Sequence, residues 1–247
     1  MLKAVIFDFD GTVCDTLPLC LVAFKAAVGP IWGREPSMEE LIAAFGPSEE
    51  GTIRALVPDA YDRGISEYFR VYAERHGELC PAPFPGIVET IAELRSRGVK
   101  TALVTGKGAA GLALSMDYLG LSGLFDETET GSPEGQRKAD GIRTVLAAMG
   151  ILPNDFCATE FCVTEFCMNQ AEFEQAEFEQ AKFTQAKFPA AYIGDAPSDA
   201  RFAREAGVTP LSALWGSIVF ADEVAAERPE AVFRTVAEFR AWVMGRV

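Results

Sequence analysis

The chain opens with an apolar run, Ala4 to Phe7, that ends in Asp8-Phe9-Asp10-Gly11-Thr12. Four apolar residues in succession predict a short strand buried on both faces, as in a parallel sheet covered by helices. Alternation along a strand aims Asp8 and Asp10 to the same side at the strand's end, where Gly11 and Thr12 turn the chain. Two like charges about 4 Å apart repel by roughly 4 kcal/mol at an effective dielectric near 20. A compensating charge is required, and a bound cation is the simplest candidate.

Beyond this strand the pattern changes to helical spacing. LPLCLVAFKAAV (17–28), SMEELIAAF (37–45), EEGTIRALV (49–57) and ISEYFRVYAERHG (65–77) predict a small helical unit over 17–83, punctuated by GPIWGREPS, FGPSEE and VPDAYDRG. CPAPFPG closes it, and an alternating pattern follows. Strands are predicted at VKTALVTG (99–106), FDETETG (125–131), AAYIGD (190–195) and VTPLSALWG (208–216). Helices are predicted at 86–98, 109–120, 138–150, 198–207 and 237–245. Strands alternating with helices argue for an α/β fold, a doubly wound, mostly parallel, Rossmann-like sheet formed by 1–16 and 84–247.

One segment, 154–188, breaks the alternation. Phe156, Phe161 and Phe166 are five residues apart, as are Phe173, Phe178, Phe183 and Phe188, with a two-residue slip between the sets. A five-residue period suits neither a helix nor a strand. It resembles a pentapeptide repeat, with Ala171, Ala176, Ala181 and Ala186 at the small inward positions and Thr159 and Thr164 as their counterparts. A low-complexity insert and an Ala/Glu/Gln/Lys-rich helix are the competing readings. The insert precedes the predicted strand AAYIGD at its amino end, away from the carboxyl ends where parallel sheets bind ligands.

Composition narrows the functional classes. The 247 residues are 49% hydrophobic and 23% charged, which indicates a globular chain with a sizeable core. A formal net charge of −14 argues against nonspecific binding to nucleic acid or anionic membranes. No run approaches the roughly 20 apolar residues of a membrane span. Six cysteines and no export pattern before the first strand lead to the expectation of a reducing, cytoplasmic setting. Cys157, Cys162 and Cys167 follow the five-residue period, which is no zinc-ligand spacing.

Four stretches lie at carboxyl ends of predicted strands or just beyond one: Asp8 to Thr12, Thr105 to Lys107, the neighbourhood of Lys138, and Gly194 to Asp199. FDFDGT, then VTG, a lysine and IGDAPSD in that order resemble the haloacid dehalogenase superfamily, specifically its phosphoglycolate phosphatase-like members. The likeness spans nearly the whole chain apart from the insert. It implies that Asp8 is a nucleophile toward phosphorus, forming an aspartyl-phosphate. Asp10 would protonate the leaving oxygen and then deprotonate water, crowded by Asp8, Asp195 and Asp199. Asp8, Asp195 and the backbone carbonyl of Asp10 would hold Mg²⁺, with Asp199 a ligand or a close neighbour of one. Thr105 and Gly106 would bind a phosphate oxygen. Of the two lysines, Lys138 is the favoured stabiliser of the transferring phosphoryl group, although Ala139 stands where the family usually has proline. Lys107 is then a phosphate-side or surface residue.

The resemblance also makes the 17–83 unit a cap that covers the site and selects the leaving group. Gly46, Pro47, Ser48 and Glu49 form a candidate substrate-reading turn, and Arg54 is a candidate contact for an anionic group. His76 is expected at a partly exposed helix end. The resulting expectation is a Mg²⁺-dependent phosphatase of a small phosphorylated metabolite. A phosphoglucomutase-type phosphotransferase is the alternative within the superfamily, against which Thr12 stands where those mutases favour valine. An interaction protein that meets a protein partner through the insert is the alternative outside it.

Overall fold

Ala4–Phe7 forms β1, and all four residues are buried. In the computed structural model, which describes residues 1–46, 48–153 and 187–247, β1 lies at the middle of a six-stranded parallel sheet. Its neighbours are β2 (Lys100–Val104) and β4 (Ala190–Gly194), in registers that pair Phe7 with Leu103 and with Ile193. β3 (Glu127–Glu129) flanks β2, while β5 (Thr209–Ala213) and β6 (Ala231–Phe233) extend the other side, giving the order β3-β2-β1-β4-β5-β6. The winding direction reverses beside β1, between β2 and β4. Such a switch point opens a crevice at the carboxyl ends of the strands.

The alternation inside β1 builds two cores. Val5 and Phe7 join a cluster with Ile87, Ile91 and Leu94 of α5 (Ile87–Ser96), Leu112 of α6 (Ala109–Tyr118) and Phe239 of α10 (Val236–Met244). Ala4 and Ile6 face the opposite cluster, with Ile142, Val145 and Leu146 of α7 (Lys138–Ala148) and Ala203 of α8 (Pro197–Glu205). Helices therefore cover both faces of the sheet, which explains why β1 carries no polar residue.

Between β1 and α5 the chain forms α1 (Leu17–Trp32), α2 (Met38–Ala43), α3 (Glu49–Leu56) and α4 (Tyr61–Leu79), with a 3₁₀ turn at Pro58–Ala60. The helix α1 runs further than the expected 17–28. Pro30 sits in its last turn, where it forgoes the hydrogen bond to the Ala26 carbonyl, and Gly33 ends the helix in the left-handed conformation at φ 69°. Phe24 packs on Tyr68 with ring centroids 4.5 Å apart and on Phe45 at 5.5 Å, joining α1, α4 and the end of α2. This core is continuous with the first face of the sheet.

Pattern reading missed β6 and α9 (Ala221–Ala226), because three strand residues and one and a half helical turns are too short to display a period. The expected exposure of His76 is also corrected. Its side chain is buried, with Nε2 3.1 Å from the Ser115 hydroxyl and the ring against Tyr72 and Tyr118. The helix end is covered because α4 packs on α6.

The proposed repeat over 154–188 lies almost entirely outside the described residues, as do Cys157, Cys162, Cys167 and Pro47. Phe188, last of the spaced phenylalanines, is described: it is buried in the second core, and its N–H donates to the Gly207 carbonyl at 2.9 Å. Among the described residues no helix is long and apolar enough to cross a membrane, and Cys14, Cys20 and Cys80 are free thiols.

Candidate active site

The crevice at the switch point leads into a cavity of about 480 Å³ lined by Asp8, Asp10, Thr105, Gly106, Lys107, Lys138 and Asp195, among others. The register of β1 on β4 produces this convergence. Phe7 pairs with Ile193, and the Asp8 N–H donates to the Ile193 carbonyl at 2.9 Å, so Asp8 leaves the sheet beside Gly194-Asp195. The α8 N-terminus follows, and the Asp199 carboxylate turns back to accept from the Ala196 N–H at 2.9 Å. Carboxylate oxygens of Asp8, Asp195 and Asp199 lie within 4.8 Å of one another, and all three side chains are buried. Gly11, at φ 72°, permits the approach, since a Cβ there would collide with the Asp195 carboxylate.

A single ammonium group serves this cluster. Lys138 Nζ lies 2.6 Å from Asp8 Oδ2 and 2.6 Å from Asp199 Oδ1. Among the described residues Asp195 has no ion-pair partner. Burial pushes the Asp8 carboxyl up to about 6, with Lys138 opposing the rise and the Asp199 charge adding to it. Burial, with the Asp8 and Asp199 charges behind it, also holds the Asp195 carboxyl well above the ordinary range. Burial would depress the Lys138 ammonium, but the Asp199 and Asp8 carboxylates outweigh it and keep the group charged. Three buried carboxylates against one lysine leave excess negative charge on hard oxygen donors, and the residues present therefore fit a divalent cation such as Mg²⁺.

Asp10 stands beside this cluster. The chain leaves β1 after Phe7 and turns at Gly11, so strand alternation does not carry through to Asp10. Its carboxylate accepts a hydrogen bond from the Thr16 hydroxyl and lies 3.3 Å from Lys107 Nζ, outside the group of three but near enough that its charge helps raise Asp8 and Asp195. Of its groups, the backbone carbonyl remains the candidate for a metal, as the resemblance implied. Thr16 escaped the sequence reading, because a lone threonine before a helix reads as an N-cap.

Lys107 is not a surface residue. Its side chain is fully buried, with Nζ 3.1 Å from Glu49 Oε1 and 4.5 Å from the centroid of Tyr72. Burial alone would lower its basicity, but the Asp10 and Glu49 carboxylates help hold it well above the ordinary lysine range. Glu49, at the first turn of α3, also accepts from the Gly108 N–H at 2.5 Å, at the N-cap of α6. Its carboxylate lies against Gly111, where a Cβ would overlap it. Nearby, the Ser48 N–H donates to the Ser132 carbonyl at 3.0 Å. Ser48 and Glu49 thus dock onto loops after β2 and β3. Arg54 does not join them: it is exposed over the Tyr61 ring at 5.0 Å and does not line the cavity.

Thr105 is buried at the end of β2, and its hydroxyl accepts from the Lys107 N–H at 3.2 Å. Thr105, Gly106 and Lys138 border the same space as Asp8.

The sequence profile of haloacid dehalogenase-like hydrolases matches residues 5–158. The chain belongs to that family. A phosphoglycolate phosphatase of Synechococcus elongatus is 25% identical over 87% of this chain and 85% of its own length. The pyrophosphatase PpaX of Bacillus pumilus is 26% identical over 62% of this chain and 72% of its own. Among solved structures, a haloacid dehalogenase-like hydrolase of Streptococcus pneumoniae superposes with a TM-score of 0.68 over 98% of both chains at 22% identity, a likeness of fold. This family member is thus a hydrolase, and these two curated relatives carry phosphatase names.

Two consequences can be measured. Because the Asp8 carboxyl binds its proton more tightly in the folded state, its contribution to stability is complete below the ordinary value of 3.8 and is lost as pH rises through about 6. Without divalent cations, Asp8→Asn should therefore melt several degrees above wild type at pH 8, and the gap should close between pH 6 and 4. Thermal melts in chelator check this, and a lower melting point at pH 8 contradicts it. Glu49→Ala leaves Lys107 with one carboxylate partner and the Gly108 N–H without its acceptor, and should cost about 2–4 kcal/mol in denaturant unfolding. A loss below about 0.5 kcal/mol would show that the contact is exposed to water.

Proposed function

We propose that the protein is a Mg²⁺-dependent phosphatase that hydrolyses a small phosphate monoester through an aspartyl-phosphate on Asp8. The observation that carries this reading is the buried triad of Asp8, Asp195 and Asp199 sharing one lysine at the switch point of the sheet.

Asp8, Asp195 and the Asp10 carbonyl would hold the metal, with Asp199 beside them. When bound, the ion supplies charge neutralisation for a substrate phosphate oxygen and offsets the mutual repulsion of the carboxylates. Asp8 supplies the oxygen nucleophile, and its phosphorylation divides one slow displacement into two. Lys138, fixed by Asp8 and Asp199, stands where the transferring phosphoryl group gathers charge. Thr105 and the Gly106 N–H border the same space and would bind a phosphate oxygen. Asp10 gives its proton to the leaving oxygen and later takes one from water. Lys107 and Thr16 fix its carboxylate, so Lys107 acts as a positioning residue more than as a direct phosphate ligand.

Residues 17–83 act as a cap over the core formed by 1–16 and 84–247. The Glu49 and Ser48 contacts would belong to its closed position, which would limit water on the Asp10 side of the cavity. Transfer to a second hydroxyl, the mutase alternative, uses the same residues and differs only in the acceptor.

Phosphate release from a panel of monoesters tests the reading. Release should require Mg²⁺ and need no bisphosphate activator. Asp8→Asn should abolish it, and Lys138→Ala should reduce kcat by about 10²–10³. Chelator-insensitive release, or an active Asp8→Asn variant, would contradict the assignment.

A further inference from the structure

We propose that the preferred leaving group is an uncharged alcohol with an apolar body, and that esters carrying a carboxylate or a second phosphate are poor substrates. The proposal rests on the phosphatase reading above. The cavity, at about 480 Å³, falls within the roughly 300–1,000 Å³ of sites that enclose a whole small molecule. Room therefore remains beyond the phosphoryl group held between Asp8, Lys138 and Thr105.

Much of that remaining wall is apolar. The cap contributes Leu21, Phe24, Ile42 and Phe45, and the loop after β5 adds Ile218 and Phe220. Among the described residues, no Lys, Arg or His of the cap lines the cavity. The only charged cap residue that does is Glu49, which is negative.

The two lysines that also line the cavity are committed. Lys107 is enclosed by Asp10, Glu49 and the Tyr72 ring, with no side-chain exposure. Lys138 is held by Asp8 and Asp199 at the phosphoryl end. Arg137 also lines the cavity, but it is exposed at the N-cap of α7, where solvent screens its charge. A glycolate carboxylate or a second phosphate on this wall would share the cavity with Glu49 and meet no buried counter-charge, which is costly. An alkyl or aryl group there gains by leaving water. The chain thereby differs from what the names of its phosphoglycolate phosphatase and pyrophosphatase relatives imply, since both of those substrates have anionic leaving groups.

The test measures kcat/KM for phosphate release by the full-length enzyme with Mg²⁺. Substrates are methyl, propyl, butyl and hexyl phosphate, phenyl phosphate, 2-phosphoglycolate and pyrophosphate. The expected result is a rise of roughly fourfold per methylene buried, with 2-phosphoglycolate and pyrophosphate about tenfold or more below butyl phosphate. Phe45→Arg, which places a cation on the apolar wall, should shift the ratio of 2-phosphoglycolate to hexyl phosphate upward by about tenfold. A flat alkyl series, or fastest release from 2-phosphoglycolate or pyrophosphate, would overturn this proposal and leave the phosphatase reading intact. No release from any ester would overturn that reading, and this one with it.

Discussion

Three buried carboxylates held within 4.8 Å by the ends of β1 and β4, with one lysine between two of them, form the constraint on which the rest of the molecule depends. Like charges do not collect in a protein interior unless the backbone forces them together and something else gains. Here the force is the parallel pairing of β1 with β4, which fixes Asp8 beside Gly194, together with the α8 N-terminus that returns Asp199. The stability sacrificed at this point is supplied by the two apolar cores that clamp β1 from either side.

A second charged assembly lies across the cavity, and it works differently. Lys107, Asp10 and Glu49 combine one positive with two negative groups, extended by Thr16, Tyr72 and the Gly108 N–H. The triad carries unsatisfied charge and is suited to drawing a cation. The Lys107 assembly has its contacts largely met, and is suited to holding Asp10 still and bringing the helical segment against the loop after β2. The two lysines, equivalent in composition, thus have separate tasks because their neighbours differ.

Much of this was legible in the chain, because the informative features were local. The apolar run 4–7 declared a strand covered on both faces, and the Gly194-Asp195 turn after AAYIG declared another strand's end. Their order along the chain was enough to bring the four stretches to one end of the sheet. The side-chain directions were less legible. Asp10 follows a strand that has already ended, and alternation did not show that its carboxylate turns to Thr16 and Lys107 while its charge still bears on Asp8 and Asp195. Lys107 reads as a phosphate-side or surface residue because its cover comes from Glu49 and Tyr72, residues 58 and 35 positions earlier in the chain, brought near only by tertiary packing. His76 was misplaced for the same reason, its cover being Ser115 and Tyr118 of α6. Elements of three to six residues, β6 and α9, left no period to detect.

The central claim is that the acidic triad exists to hold one divalent ion, and a direct titration of that ion tests it most simply. Manganese added to the metal-free protein and followed by electron paramagnetic resonance should show one ion bound per chain, displaced by excess Mg²⁺. Binding should be lost in Asp195→Asn while the fold, followed by circular dichroism, is retained. A wild-type protein that binds no ion, or an Asp195→Asn variant that binds as well as wild type, would contradict the account.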